Sequence, residues 1–329
     1  MVDNKLYPLK FVPIFKDKIW GGRKLIDNYG KQTTSEKLGE SWELSACEGD
    51  ESVVANGFLA DNNLIELIEI YMGDLVGDSV YDKFGLSFPL LFKLIDANDN
   101  LSIQVHPNDE IAAERHNSFG KTEMWYVVDA DPEGTLTVGF KEDCTKDVYL
   151  SALANDRVGE LLQTVPVKQG DVFLIPAGLI HSIGKGVVIA EIQESSDLTY
   201  RIYDYKRKDE NGNERKLHTE QALDVINFSA SNHPKITYKS TLNEITPLAK
   251  CEYFTTNFLR IDKKNIRNYV GLDSFITYMC LEGCFTVNYN NTEVAVNKGE
   301  TILIPAYIDE LELIPDSKET TLLEVYVEL

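Results

Sequence analysis

A repeat constrains this chain more than any other feature. Residues 170–181 read GDVFLIPAGLIH and residues 299–310 read GETILIPAYIDE, so a glycine, an apolar strand and Leu-Ile-Pro-Ala recur at an offset of 129 residues, Gly170 to Gly299. Upstream, Tyr126-Val127 with Leu136-Thr137-Val138 parallels Tyr278-Met279 with Phe285-Thr286-Val287, the first copy carrying longer inserts. One β unit used twice predicts two similar all-β modules in tandem. The remaining pattern agrees. Residues 134–140, 171–176, 187–193, 274–279, 284–289, 301–305 and 320–327 are short β-branched or aromatic runs bounded by Gly, Asn, Asp or Pro, which predicts antiparallel strands of a sandwich or barrel.

Helical signals are fewer. Residues 64–71 (LIELIEIY) space apolar residues at a helical period, residues 109–116 follow an Asn108 cap, and residues 220–226 follow a Thr219 cap. The polar stretch DENGNERK at residues 209–216 carries a turn-forming Asn211-Gly212 pair. Strand patterns restart near Pro234, which predicts a division into residues 1–235 and 236–329. The chain's 329 residues, 43% hydrophobic and 26% charged, are enough for two cores.

Charge narrows the partners. Thirty-two Lys+Arg against 53 Asp+Glu leave a net charge of −21, so nucleic acid and anionic membranes are repelled overall, and only a local basic cluster can hold an anion. The first fifteen residues lack the apolar core of a signal peptide, and no run approaches the roughly 18 apolar residues of a membrane span; a cytoplasmic location is expected. Five cysteines (47, 144, 251, 280 and 284) form no CxxC. Cys280 and Cys284 flank a turn, but reduced thiols are the expectation.

The chemistry lies in the first repeat. Gly170, Pro176, Gly178 and His181 fit the second conserved motif of the cupins, G(X)5PXG(X)2H. Glycine starts a strand, Pro and Gly end it tightly, and the imidazole is aimed into the mouth of the module. In Ser102-Ile103-Gln104-Val105-His106, alternation sends Ser102, Gln104 and His106 to one face; in Lys121-Thr122-Glu123-Met124-Trp125 it groups Lys121, Glu123 and Trp125. Gln104, His106, Glu123 and His181 together make a mixed N/O donor set that suits Zn²⁺ with a position left open for substrate. The fold class expected is therefore mainly β: two tandem cupin (jelly-roll) barrels with a few short helices. Aligning the repeats sets Glu310 at the place of His181, Tyr307 at Gly178 and Phe275 at Glu123, so the second barrel is expected to be metal-free.

These stretches carry a wider likeness. LSIQVHPND, KTEMWYVV, FLIPAGLIHSIG and TYRIYDYK, with the earlier Ile19-Trp20-Gly21-Gly22 and Gly39-Glu40-Ser41-Trp42-Glu43, resemble the signature stretches of the type I phosphomannose isomerases (mannose-6-phosphate isomerases) in their short bacterial form, in order and spacing over about residues 10–205. The resemblance implies one zinc per chain on Gln104, His106, Glu123 and His181, and interconversion of mannose 6-phosphate and fructose 6-phosphate. It implies Arg201 as the active-site arginine, Lys121 beside the metal, Ser102 helping to hold phosphate, and Glu191 as the base, with Asp197 as its rival. The large helical insert of longer members has no room here; only residues 209–228 stand in its place.

The residue chemistry runs the same way. Moving a proton between C1 and C2 through an enediolate needs a cation at the oxygens and a base near the carbons. Arg201, Lys206, Arg207 and Lys208 set four cations against Asp204, the local cluster that a hexose 6-phosphate requires; Lys206 and Arg207 are read as substrate-binding. Trp20 either walls the sugar site or packs. His116, His218 and His233 are read as non-functional. Two other readings of the same scaffold are a cupin iron or manganese oxygenase or epimerase-like enzyme, and a non-catalytic sugar-sensing cupin. Oligomeric state is not legible.

Overall fold

The structure is a computed structural model that describes residues 5–209, 211–231 and 234–329; His233 lies outside the described residues. It is mostly β, with short helices at the periphery. The first unit sets a seven-stranded sheet against a five-stranded one. The larger runs Lys235–Ile236, Val172–Ile175, Glu123–Ala130, Val187–Glu194, Leu90–Ala97, Leu38–Leu44, Ile14–Gly22; the smaller runs Leu162–Pro166, Thr135–Phe140, His181–Ile183, Ile103–Val105, Tyr200–Tyr203. The second unit repeats the plan. Its large sheet runs Thr246–Lys250, Thr255–Ile261, Thr320–Tyr326, Ile276–Glu282, Thr301–Ile304, Leu9–Val12, Val53–Val54, and its small sheet runs Asn265–Asn268, Glu310–Pro315, Cys284–Tyr289, Thr292–Asn297. These are jelly-roll sandwiches, not closed barrels.

Strand pairing crosses residue 235. Leu9–Val12 and Val53–Val54 extend the large sheet of the C-terminal unit, with Leu9 opposite Leu303 and Phe11 opposite Val54. In the other direction, Lys235–Ile236 pairs with Val172–Ile175 of the first unit.

The two large sheets pack back to back, and this explains their composition. Along Glu123–Ala130, Met124, Tyr126 and Val128 join one cluster with Phe258, Met279, Leu303, Leu323 and Val325 of the other unit. The alternate residues Trp125 and Val127 face the first unit's own interior beside Ile95, Leu136 and Ile183. Every residue from Leu90 to Ala97 and from Val187 to Glu194 is buried, because such strands have no solvent face. Lys31 fastens the units at one edge: its ammonium, 4% exposed, sits 2.6 Å from Glu43 and 2.7 Å from the Gly299 carbonyl.

The expected helix Leu64–Tyr71 forms as read, and Asn63 with Glu66 closes a capping box on it. Asp109–His116 is capped by the Asn108 side chain, which accepts the Ile111 amide, a contact of about 1 kcal/mol. The third differs from expectation. Helix Thr219–Val225 takes in Thr219 itself, and His218 is the cap residue without a side-chain cap bond, because its Nδ1 accepts the Arg201 amide instead. All five cysteines are free, and no helix among the described residues is long and apolar enough to cross a membrane.

The register refines the repeat. Ile175 pairs with Glu123, and Ile304, its equivalent at the repeat offset, pairs with Ile276. The place of Glu123 is therefore held by Ile276, not Phe275, and it remains apolar.

Candidate metal centre and sugar-phosphate cleft

The cupin stretch performs the geometry expected of it. Gly178 takes φ +85°, where a side chain is strained, and an added Cβ would lie 2.8 Å from the Val225 carbonyl. Its amide donates to the His106 carbonyl at 2.9 Å, so the turn that aims His181 also holds the segment bearing His106. His181 lies opposite Gln104 in the small sheet, and Glu123 projects from the facing large sheet.

His106, Glu123 and His181 bring one ligand atom each within 4.8 Å of one another, and all three are buried. His181 Nε2 is 3.4 Å from Glu123 Oε1, and His106 Nε2 is 3.6 Å from Oε2. Each imidazole gives its Nδ1–H to a backbone carbonyl at 2.8 Å, His106 to Leu198 and His181 to Leu179. That fixes the tautomer with Nε2 bare toward the centre. His106 Nε2 and both Glu123 oxygens are buried without a hydrogen bond, a costly state unless a cation sits among them. Burial, the nearby Lys121 and His181 hold His106 well below its ordinary value. Burial likewise brings His181 down to about 4, so both rings are neutral, the form that ligates. Burial and then Glu191 push the Glu123 carboxyl up to about 8, as a carboxylate lacking a full counter-charge must be. Gln104 stands beside the trio, its amide nitrogen 3.3 Å from His181 Nε2 and its oxygen accepting from Ser102 at 3.3 Å.

A narrow cleft of about 150 Å³ opens from this centre. Of the residues expected from the sequence, Trp20, Ser102, Gln104, Lys121, His181, Glu191, Asp197 and Arg201 line it. His106 and Glu123 lie behind them. Trp20 does both things the sequence left open, packing with Ile95 and Trp125 while walling the cleft. Arg201 is the cross-strand neighbour of Gln104. Burial, with Arg215 close by, lowers its guanidinium from the ordinary value. Glu191 accepts from Trp125 Nε1 at 2.8 Å and stands 3.4 Å from Lys93. Burial would raise its carboxyl, yet Lys121 and Lys93 hold it below the ordinary value, so it is ionised.

Lys206 and Arg207 do not reach the cleft. Lys206 is 63% exposed and pairs with Asp156 at 2.6 Å. Arg207 is committed to Asp204 and to the Asn100 carbonyl. Four charged residues to which the sequence reading gives no role also line the cleft: Lys18, Glu40, Lys93 and Arg215. Lys93 is buried between Glu191 and Glu40, its ammonium 4.9 Å from the Trp42 ring. Burial opposes ionisation of Glu40, but Lys93 and Lys18 keep it down at about 2. A lysine inside the run Leu90–Ala97 is the legible signal, since a buried ammonium has to be paired.

In the C-terminal unit the corresponding place is filled by the chain itself. Tyr278 pairs with Glu324 as Trp125 pairs with Glu191. Glu324, 1% exposed, is held by Arg267 at 2.8 Å, Tyr269 at 2.6 Å and Asn257 at 3.0 Å. Glu310, at the place of His181, is exposed and accepts a hydrogen bond from the Asn268 amide at 3.4 Å.

Comparison with known proteins decides the family. Residues 8–145 match the family described as phosphomannose isomerase type I, catalytic domain, and residues 244–318 match mannose-6-phosphate isomerase, cupin domain. A mannose-6-phosphate isomerase of Bacillus subtilis (strain 168) is 35% identical over 315 residues, covering 93% of this chain and 95% of that one. The chain belongs to the type I phosphomannose isomerase family. Another member of the family, the mannose-6-phosphate isomerase of Streptococcus mutans serotype c, is 37% identical over 289 residues, covering 88% and 89% of the two chains. The crystal structure of the Bacillus subtilis mannose 6-phosphate isomerase superposes with a TM-score of 0.87 at 31% identity, over 98% of this chain and 100% of that one. The two-sandwich architecture is thus the family's own.

Proposed function

We propose that this chain interconverts mannose 6-phosphate and fructose 6-phosphate, with one Zn²⁺ held by Gln104, His106, Glu123 and His181. The observation that carries the reading is the buried set of bare donors, His106 Nε2 and the two Glu123 oxygens, at the inner end of a cleft walled by cations. Two neutral imidazoles, a carboxylate and an amide oxygen fit zinc in number and type. Turning the Gln104 amide about its last bond sets its oxygen beside His181. When bound, the ion supplies Lewis-acid stabilisation of charge on the sugar oxygens.

The chain's own groups do the rest. Glu191, ionised and fixed by Trp125 and Lys93, takes the proton from one sugar carbon and returns it to the other. Lys121, 3.3 Å from Glu123 without a hydrogen bond to it, and Arg201 place positive charge where the enediolate oxygens develop negative charge. Trp20 and Ser102 bound the sugar, and the jelly-roll walls limit water. Residues 1–235 carry the catalysis; residues 236–329, whose own site is filled by Glu324 and its partners, support it.

A coupled assay tests this. Fructose 6-phosphate forms from mannose 6-phosphate, formation stops with a chelator, and added Zn²⁺ restores it. Metal binding without turnover of any hexose 6-phosphate would favour the sensing reading instead. A second prediction follows for the C-terminal unit. Glu310→Ala leaves bound metal at one per chain by elemental analysis and kcat within about twofold, as for a surface change; a second bound metal in the unaltered protein would overturn that assignment.

A further inference from the structure

We propose that Arg215, braced by Asp204, forms the phosphate-gripping subsite of the cleft; this rests on the sugar-phosphate reading above. The cations that line the cleft are Lys18, Lys93, Lys121, Arg201 and Arg215. The three lysines are each set against a carboxylate: Lys18 is 3.2 Å from Glu40, Lys93 is 3.4 Å from Glu191, and Lys121 is 3.3 Å from Glu123. The arginines are in surplus. Arg201, Arg207 and Arg215 gather around the carboxylate of Asp204, which is 4% exposed, with only Asp99, 3.7 Å from Arg207, as a second acid. An excess of positive charge in a chain of net charge −21 is the field that a dianionic phosphate completes.

The three arginines differ in what they have left to give. Arg207 spends Nη1 on the Asn100 carbonyl and Nη2 on Asp204. Arg201 donates Nη1 to the Lys216 carbonyl at 3.0 Å and lies across from Gln104, close to the reacting carbons. Arg215 gives Nε and Nη2 to Asp204 at 2.7 and 2.6 Å, and no hydrogen bond among the described residues engages its Nη1. Its fork is therefore locked before substrate arrives, which lowers the ordering cost of binding. Through the Arg201–Lys216 bond, the segment bearing Arg215 is tied beside Arg201, and both arginines line the cleft. Arg215 is then the group that takes the C6 phosphate of a hexose whose C1 and C2 lie at the metal centre. Asp204 is then a positioning residue.

The test uses the metal-loaded full chain, with inorganic phosphate as the binding probe. Arg215→Ala raises KM for mannose 6-phosphate by about 10- to 100-fold, the loss of one charge-assisted contact, with kcat little changed because that contact is the same in ground and transition states. Binding of inorganic phosphate, read by calorimetry and as competitive inhibition, weakens by a similar factor. Arg215→Lys, which keeps charge but loses the fork, falls between. Asp204→Asn raises KM without lowering metal content, and the remote Arg157→Ala leaves KM and phosphate binding as they were. Phosphate binding that persists undiminished in Arg215→Ala, a loss in kcat alone, or no phosphate binding by the unaltered protein overturns the subsite. Arg215-dependent phosphate binding in a protein that turns over no hexose 6-phosphate supports the subsite and overturns the isomerase reading.

Discussion

Replacing His181 with alanine is expected to remove bound metal and activity together while the chain remains folded. His181 supplies one of the two unprotonated imidazole nitrogens, 3.4 Å from Glu123 Oε1, and its Nδ1 bond to the Leu179 carbonyl does no more than fix the ring. Without it the remaining nitrogen and carboxylate donors no longer close a tetrahedral set. The strand His181–Ile183 keeps its backbone pairing through Ser182 and Ile183 to Thr137 and Leu136, so circular dichroism and the thermal midpoint change little beyond a small-cavity loss. Elemental analysis decides the matter. Zinc that stays at one per chain in His181→Ala would refute the ligand assignment, and full turnover in a metal-free variant would refute the need for the ion.

Arg201→Ala is expected to lower kcat/KM by about 100-fold or more, the scale for losing a donor that stabilises transition-state charge, with the loss in kcat. Zinc content stays at one. Stability falls by only about 1 kcal/mol, the worth of the bond from Nη1 to the Lys216 carbonyl, because burial and the neighbouring Arg215 already disfavour the charged form. Retention of activity within a few-fold would make Arg201 a rim residue. The contrast with Arg215 is diagnostic: one variant fails in kcat, the other in KM.

The legible part of the site lies on strands whose alternation separates polar from apolar. Gln104 and His106 are two apart, and Glu123 and Trp125 are two apart, so period two alone groups them. The turn at Gly178 announces itself by composition. Lys93 goes unmarked, and Glu40 is quoted but given no role, for the opposite reason. Leu90–Ala97 and Leu38–Leu44 lie between two packed layers and are buried throughout, so no polar face marks the functional side, and neither run stands out as a strand. Lys206 and Arg207 show the limit of counting charge in a line. The segment turns through positive φ at Tyr205 and Lys206, which throws Lys206 outward and commits Arg207 to Asp204. The arginine that joins Arg201 in the cleft is Arg215, eleven residues beyond its partner Asp204. Helix Lys146–Ala154, with its Thr145 cap accepting the Val148 amide, carries a readable start signal that the strand-rich surroundings mask.

The placement of Leu9–Val12 reaches beyond architecture into the order of synthesis. Leu9 and Lys10 find their partners at Leu303 and Ile302, so one segment waits for another that is made nearly three hundred residues later. Phe11 and Val12 can meet Val54 and Val53 early, but until then the edge at Leu9 and Lys10 is unpaired, the kind of edge that recruits a neighbouring chain. Such distant closure also slows folding, because the loop entropy is spent before the contact rewards it. The C-terminal sandwich is thus not a module that can be lifted out at residue 236: its sheet is finished by Leu9–Val12 and Val53–Val54. Nascent molecules should keep this sheet unfinished until Thr301–Ile304 has been made, and its last pairing should close only then.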